Sequence, residues 1–321
     1  VASTDEIGRA LWYVAPGKAE VREERLPPLS PGVLRVRTLY SAISRGTEAL
    51  VFNGRVPQSE FQRMRAPFMA GDFPFPVKYG YATVGQIERG RTVFALHPHQ
   101  TVFNIPENAA TPVPDNVPPQ RAVLAANMET ALNALWDAAP GPGGRIAVVG
   151  GGVVGALIAF LSARTPGNDV TLVDVNPARA DLARKLGVGF ATPDEAKDEC
   201  AFVFHTSASA AGLATALSLA ADEATVLELS WYGDAQVPVP LGGAFHSRRL
   251  KLVSSQVGKV APSRRKTITD AQRLSEALGL LADPRLDALL APPVKFSELP
   301  ARLPDILDLR SGTLCQVISY E

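Results

Sequence analysis

The segment that most limits what this chain can fold into starts at Arg145 and reads RIAVVGGGVVGALIAFLSA. A strand-like apolar run enters Gly150, Gly152 and Gly155, after which Val154, Leu157, Ile158 and Leu161 recur at helical spacing. A second strand-like run, VTLVD, follows and ends in Asp174. In a strand-helix-strand unit of this kind the first glycine makes the tight turn. The second lets a pyrophosphate approach the backbone, and the third lets helix and strand pack closely. The helix start, with the N–H groups of Val153 and Val154, offers unspent donors and a positive dipole end to the phosphates. Asp174 then stands where a carboxylate accepts hydrogen bonds from the adenosine ribose diol. Its charge opposes the extra phosphate of NADP, so NAD(H) is favoured over NADP(H). Arg179 pulls the other way, being close enough in sequence to swing toward a 2′-phosphate.

The same alternation continues through AFVFHT near 201, TVLELS near 225 and LKLVSSQ near 250. In NPARADLARKLG, Asn176 suits a helix cap, Pro177 the first turn and Gly187 the stop. Apolar strands alternating with helices indicate an α/β fold with a doubly wound parallel sheet covered on both faces. Ligands of such sheets bind beyond the carboxyl ends of the strands. That places Thr206 and Ser207, within HTSAS, and the stretch SWYGD beside the cofactor, with Trp231 and Tyr232 either walling a flat ligand or filling core.

Residues 10 to 106 are written differently, as short alternating segments broken by Pro, Gly and charge, which reads as a mostly β barrel or sandwich. A proline-rich excursion over 53 to 78 is either a functional cover or a disordered insertion. After a helix near 269 to 283 the tail ends in a strand-like segment that is expected to return to the first domain. The expected organisation is a β-rich domain over 1–120, a Rossmann domain over 121–285 and a C-terminal return over 286–321.

Lys and Arg total 32, as do Asp and Glu, so no global field draws nucleic acid or an anionic membrane. The expected partner is a small-molecule substrate, with no nucleic acid and no membrane. The two cysteines, Cys200 and Cys315, are too few for a disulfide framework or a CxxC metal site and read as buried thiols. No apolar run is long enough to span a bilayer, and the start VASTDEIGRALWYV lacks a basic-then-apolar leader. A reducing cytoplasm is the expected home.

Together, VRTLYSAISRGTE, PVKYGYATVGQIERG, AANMETALNAL, VVGGGVVG with LVDVNPARADLARKLG, and FHSRRLKLVSSQVG resemble the medium-chain dehydrogenase/reductase superfamily, the zinc alcohol dehydrogenase-like proteins. Within it, the GTE ending and the compact length look most like the branch containing bacteriochlorophyllide-type hydroxyethyl dehydrogenases. The resemblance implies a GroES-like β-rich catalytic domain beside the Rossmann domain, a homodimer, and three ligands for a catalytic zinc.

At the three ligand positions the chain departs from the pattern. Ser44 stands in place of the usual cysteine, and Tyr81 and Ala82 stand in place of the His and Glu of a GHE motif. Glu129, in NMETAL, matches the third ligand. The structural-zinc cysteines are missing, because no cysteine precedes Cys200. A hydroxyl, a phenol and one carboxylate do not make an ordinary zinc site, so zinc is not expected and no metal ligand is assigned.

Two other uses of His97 and His99 stay open beside a structural one: a His2Glu site with Glu129, or substrate contact and proton relay. Without a metal, the charge on a substrate oxygen must be met by hydroxyl donors. The catalytic candidates are Tyr81, Ser44, Thr47 and Glu129, with Tyr81 either the proton donor or a core tyrosine at the rim. The cofactor-binding candidates are Gly150, Gly152, Val153, Val154, Gly155, Asp174, Asn176, Arg179, Thr206 and Ser207. Arg45 joins them if it reaches the pyrophosphate rather than solvent. The chain reads as an NAD(H)-preferring oxidoreductase acting on an alcohol, a carbonyl or an activated alkene. An atypical zinc alcohol dehydrogenase and a non-catalytic NAD(P)H sensor are the other readings.

Overall fold

A computed structural model describes residues 6–320. The chain divides into two compact units. One takes the chain through Ala126 together with Leu278–Ala282 and the segment from Leu290 onward, and the other takes Asn127–Ala277 with Asp283–Leu289. Residues 121–126, expected in the Rossmann part, thus group with the first unit. There the Arg121 guanidinium donates to the carbonyls of Leu281 and Ala282.

The first unit opens with β1 (Ile7–Ala15), β2 (Lys18–Arg25), β3 (Val33–Ile43) and α1 (Arg45–Phe52). The short strands β4 (Ala70–Gly71) and β5 (Val77–Lys78) close the proline-rich excursion. Then come β6 (Thr83–Gln86), β7 (Thr92–Ala95), β8 (Val102–Pro106), β9 (Thr111–Pro112) and the single turn α2 (Pro119–Ala122). The order β2-β1-β5-β4 makes one antiparallel sheet. The excursion is not a disordered insertion, because Val56 and Phe73 are buried and the Tyr79 hydroxyl donates to the Met64 carbonyl.

The second unit contains most of α3 (Ala125–Ala138), then β10 (Arg145–Val149), α4 (Val153–Ser162), β11 (Asp169–Val173), α5 (Arg179–Leu186) and β12 (Gly189–Ala191). It continues with β13 (Cys200–His205), α6 (Ala210–Leu219), β14 (Ala220–Glu228), β15 (Lys251–Ser254) and most of α7 (Asp270–Leu280). The six strands are parallel, in the order β12-β11-β10-β13-β14-β15. This is the doubly wound order whose direction reverses between β10 and β13. Gly187 ends α5 in the left-handed region, at φ 78°, where a residue without Cβ costs least. Asn176 does not cap α5 directly, since Ala178 holds that position. Its side chain instead accepts from the Ala178 N–H in the turn before the helix.

The tail forms β16 (Leu290–Lys295), α8 (Leu299–Leu307) and β17 (Cys315–Ser319). β17 pairs antiparallel with β3 and parallel with β16, which builds the second sheet of the first unit in the order β16-β17-β3-β6-β7-β9, with β8 also on β3. Both cysteines are buried free thiols, and burial pushes the Cys200 thiol up to about 11 and the Cys315 thiol to about 12. Among the described residues no helix is long and apolar enough to cross a membrane.

Candidate functional site

In the second unit the three glycines of the β10–α4 turn have separate physical reasons to be glycine. Gly150 has φ 113°, and a Cβ there would lie 2.7 Å from the Ser207 N. A Cβ on Gly155 would lie 2.0 Å from the Gly150 carbonyl oxygen. Gly152, the N-cap of α4, has nothing within 4 Å of such a Cβ. The first and third glycines are therefore fixed by the fold, whereas the space at the second is open to a ligand. Val153 and Val154 begin α4 behind it, so their N–H groups lie in the first turn. This is the cradle a diphosphate needs, and the residues present fit a dinucleotide.

Asp174, at the end of β11, closes onto the same turn. Its Oδ2 accepts from the Gly151 N–H at 2.6 Å and its Oδ1 from the Asn176 N–H at 2.8 Å. Arg179 leans over the turn from the start of α5, with its Cγ 3.1 Å from where a Cβ on Gly151 would be. The Asp174 carboxylate and the stem of Arg179 are thus both at the turn. Thr206 braces it from β13, its hydroxyl donating to the Gly150 carbonyl at 2.8 Å.

Beyond the carboxyl ends of β13 and β14 lies a polar group that sequence reading located only by position. His205 and Glu228 are register partners on the adjacent strands, and their side chains meet at 2.6 Å. Ser207 touches the other imidazole nitrogen at 2.7 Å. Tyr232 is half-buried, and its hydroxyl donates to Glu228 at 3.1 Å. Glu228 itself was not anticipated. The available signal was a carboxylate inside the otherwise apolar run TVLELS.

In the first unit β3 ends at Ile43 and α1 starts at Arg45, so SRGTE is the strand-to-helix corner. Ser44 occupies the N-cap of α1. The half-buried Tyr81 hydroxyl donates to the Ser44 Oγ at 2.5 Å and also bonds the Thr47 side chain. The structure therefore brings Ser44, Thr47 and Tyr81 together. Burial raises the Tyr81 pKa, its bonds to Ser44 and Thr47 partly offset that, and the nearby Glu48 charge adds to the rise. The phenol consequently stays protonated at neutral pH and can act there only as a donor or as a proton holder.

Beneath this corner is a network missed from the sequence. Glu48 has no exposed surface. Its Oε1 accepts from the Ser44 N–H at 2.7 Å, and its Oε2 accepts from the Tyr13 hydroxyl at 2.6 Å and the His99 Nε2 at 3.0 Å. Ser41 links His99 Nδ1, at 2.7 Å, to the Tyr320 hydroxyl, at 2.8 Å. Burying a charge demands such saturation of its lone pairs. The only local clue was Glu48 itself with the Ser44 N–H, because the other members of the network come from β1, β3, the residue after β17 and the loop after β7.

Three expectations are corrected. Arg45 does not point to a pyrophosphate: its guanidinium donates to the carbonyls of Ile306, Asp308 and Thr313 and to the Ser311 hydroxyl, clamping α1 to the C-terminal segment. Glu129 lies on α3 in the second unit, in a buried ion pair with Arg273 at 3.0 Å. That pair ties α3 to α7 within the second unit and gives Glu129 a structural role there. His97 and His99 do not share an environment. His97 stacks on Phe103 with ring centroids 3.6 Å apart, and burial pushes its pKa down to about 3. His99 belongs to the Glu48 network. Among the described residues, no group of three or more His, Cys, Asp or Glu converges to hold a metal ion. Three hydroxyls at the corner are not a donor set that suits zinc.

Comparison with known proteins agrees with this geometry. The family profile "3-hydroxyacyl-CoA dehydrogenase, NAD binding domain" matches residues 145–222. L-threonine 3-dehydrogenase of Rhizobium etli is 31% identical over 117 residues, which is 36% of this chain and 33% of that protein. The corresponding enzyme of Sinorhizobium medicae is 30% identical over a stretch of the same size. The matched stretch is thus about a third of the length of these curated relatives. Among solved structures, L-idonate 5-dehydrogenase of Escherichia coli K-12 superposes with a TM-score of 0.80 at 14% identity, over 98% of this chain and 99% of that one. A protein of Sinorhizobium meliloti 1021 described as a zinc-binding dehydrogenase and bound to NADP gives 0.77 at 17% identity over 98% and 99%. An alcohol dehydrogenase of E. coli CFT073 complexed with NADH gives 0.75 at 14% identity over the same shares. At these identities the likeness is one of fold: the chain has the medium-chain dehydrogenase/reductase fold.

Proposed function

We propose that this chain is an NAD(H)-preferring oxidoreductase that works without zinc. It moves hydride between the nicotinamide and an alcohol or carbonyl, or an activated alkene. The observation that carries this reading is the β10–α4 turn, where Gly150 and Gly155 are closed by their own fold and Gly152 is open. Asp174 across from it favours a free ribose diol over a 2′-phosphate. The cofactor supplies the hydride chemistry when bound. Gly152, Val153 and Val154 would hold its diphosphate, and Asp174 its adenosine ribose. The named relatives bind NADH in one case and NADP in another, so Arg179 is the residue on which a weaker acceptance of NADP(H) would depend.

In the first unit Tyr81 holds the proton. Its hydroxyl, kept protonated by burial, turns its proton from the Ser44 Oγ to a developing alkoxide or enolate oxygen, and the Ser44 and Thr47 hydroxyls turn to donate to the phenol oxygen and share the charge as it grows. Glu48, saturated by Tyr13, His99 and the Ser44 N–H, fixes the corner that carries those hydroxyls. The substrate is expected to be a small molecule, and a homodimer is expected from the family resemblance of the sequence.

The test has two parts. Protein purified without chelator is subjected to elemental analysis, and NADH oxidation is followed against aldehydes, ketones, enones and quinones. Turnover with less than a tenth of a zinc per chain supports the proposal. One tightly held zinc per chain sinks the metal-free mechanism, and tight NADH binding with complete inertness makes the chain a sensor.

A further inference from the structure

The polar chain at the carboxyl ends of β13 and β14 has no role in the hydride chemistry above. It runs from the exposed Ser209, through Ser207 at 2.9 Å, to the fully buried His205 imidazole at 2.7 Å, and on to Glu228 at 2.6 Å. Glu228 also accepts from the Ser230 N–H at 2.7 Å and the Tyr232 hydroxyl at 3.1 Å. These bonds saturate its oxygens although it is partly buried. From the other side α6 presses in without contributing charge. A Cβ on Gly212 would lie 2.1 Å from Ser207 Oγ and 2.9 Å from His205 Nε2. The turn between Ser207 and Ser209 is strained, with Ala208 at φ 51°, and is tied by the Ala208 N–H to Ser230 Oγ at 3.0 Å.

The chain is also a wall of the glycine turn, since the Ser207 N is the nearest atom to a Cβ placed on Gly150. A dinucleotide diphosphate brings two negative charges to that turn, against a fixed carboxylate behind the wall. Like charges brought together in a poorly solvated site favour protonation of whatever base lies between them. The base between them is His205, and the exposed end of the chain at Ser209 gives it access to solvent.

We propose that Glu228, His205 and Ser207 make dinucleotide binding proton-coupled: docking of the diphosphate loads one proton from solvent onto His205 by way of Ser209 and Ser207. Before binding, Ser207 donates to Nε2 and Nδ1–H donates to Glu228. Afterwards Nε2–H donates to Ser207, whose own hydroxyl proton turns outward toward the ligand. The groups facing the imidazole are Glu228 and Tyr232 from β14 and its loop, and Ser207 and Ser230; α6 offers only Gly212. Asp174 and Arg179 border the turn on its far side. The inference rests on the reading that this unit binds NAD(H).

The experiment is a fluorescence titration of the full chain with NADH between pH 6 and pH 8.5. A parallel titration in weak buffer with an indicator dye counts protons. The expected result is tighter binding at lower pH, by up to about tenfold per pH unit where one proton is linked, with up to one proton taken up per site. His205→Gln is expected to bind NADH with no proton uptake. Glu228→Gln is expected to lose the uptake yet bind NADH at pH 8.5 at least as tightly as the parent, because a negative charge has gone. A merely structural role for Glu228 would weaken binding at every pH. NADH affinity that is independent of pH in the parent chain, or linkage unchanged in His205→Gln, overturns the inference and leaves the cofactor reading intact. Absence of NADH binding at every pH overturns both.

Discussion

The Tyr81 hydroxyl donates a 2.5 Å hydrogen bond to the Ser44 Oγ, joining the loop before β6 to the N-cap of α1. Two hydroxyls are thereby in direct contact at the strand-to-helix corner. The pair is a proton-holding unit whose polarity is set by the phenol.

Tyr81→Phe removes the donor and keeps the ring. Turnover is expected to fall by about 10²- to 10⁴-fold, the usual contribution of a positioned acid or base, with NADH affinity unchanged by fluorescence titration. Ser44→Ala is expected to fall less, because Thr47 still bonds the phenol. Full turnover in Tyr81→Phe removes the phenol from the chemistry.

Gly152→Ala and Gly155→Ala separate ligand space from fold space. A Cβ at Gly155 would sit 2.0 Å from the Gly150 carbonyl oxygen, while one at Gly152 meets nothing within 4 Å. Gly155→Ala is expected to lower the melting temperature and the soluble yield. Gly152→Ala is expected to melt like the parent and lose NADH affinity by about tenfold or more, the scale of a lost charged hydrogen bond. Equal NADH affinity in Gly152→Ala and the parent would place the diphosphate elsewhere.

Asp174→Ala is expected to weaken NADH by about tenfold, since hydrogen bonds to a charged group contribute roughly 1.5–3 kcal/mol. NADPH affinity should hold or improve, because Arg179 then faces the 2′-phosphate without a competing carboxylate. Titrations with both cofactors check it, and parallel losses for the two would deny Asp174 a selective role.

Glu48→Ala leaves Tyr13, His99 and the Ser44 N–H without their shared acceptor. Breaking a buried charged cluster from one side typically costs about 3–5 kcal/mol, so urea unfolding should show a midpoint far below that of the parent. A loss under 1 kcal/mol would mean that the network is replaced by water at little cost.

His97 gives a pH dependence with a definite sign. Its pKa falls from 6.5 to about 3 on folding because the neutral ring is buried. Between those values the unfolded chain binds the proton and the folded chain does not, so stability falls as pH drops below about 6.5, at up to about 1.4 kcal/mol per unit. His97→Phe should flatten that part of the stability curve measured by denaturant titration from pH 7 to pH 4. An unchanged slope would assign the acid sensitivity to other groups.

The sequence by itself determined what depends on neighbours along the chain. The strand, glycine turn and helix of β10–α4, the Asp174 that follows, the Gly187 stop and the alternation of β11 through β15 are all short-range patterns, and the periodicities of 2 and 3.6 report them directly. It also marked Ser44, Thr47 and Tyr81, through their place in a resemblance. Only the tertiary structure decided which side chains meet. Glu48 draws Tyr13 and His99 from 35 and 51 positions away, and Ser41 reaches Tyr320 only because β17 pairs with β3. His205 finds Glu228 because two parallel strands lie in one register. Contacts of the same kind engage Arg45 with the C-terminal segment and Glu129 with Arg273, partners that no local pattern names. A hydrogen bond across a sheet depends on pairing and register, and these are fixed by burial of whole faces rather than by the residues nearest in sequence.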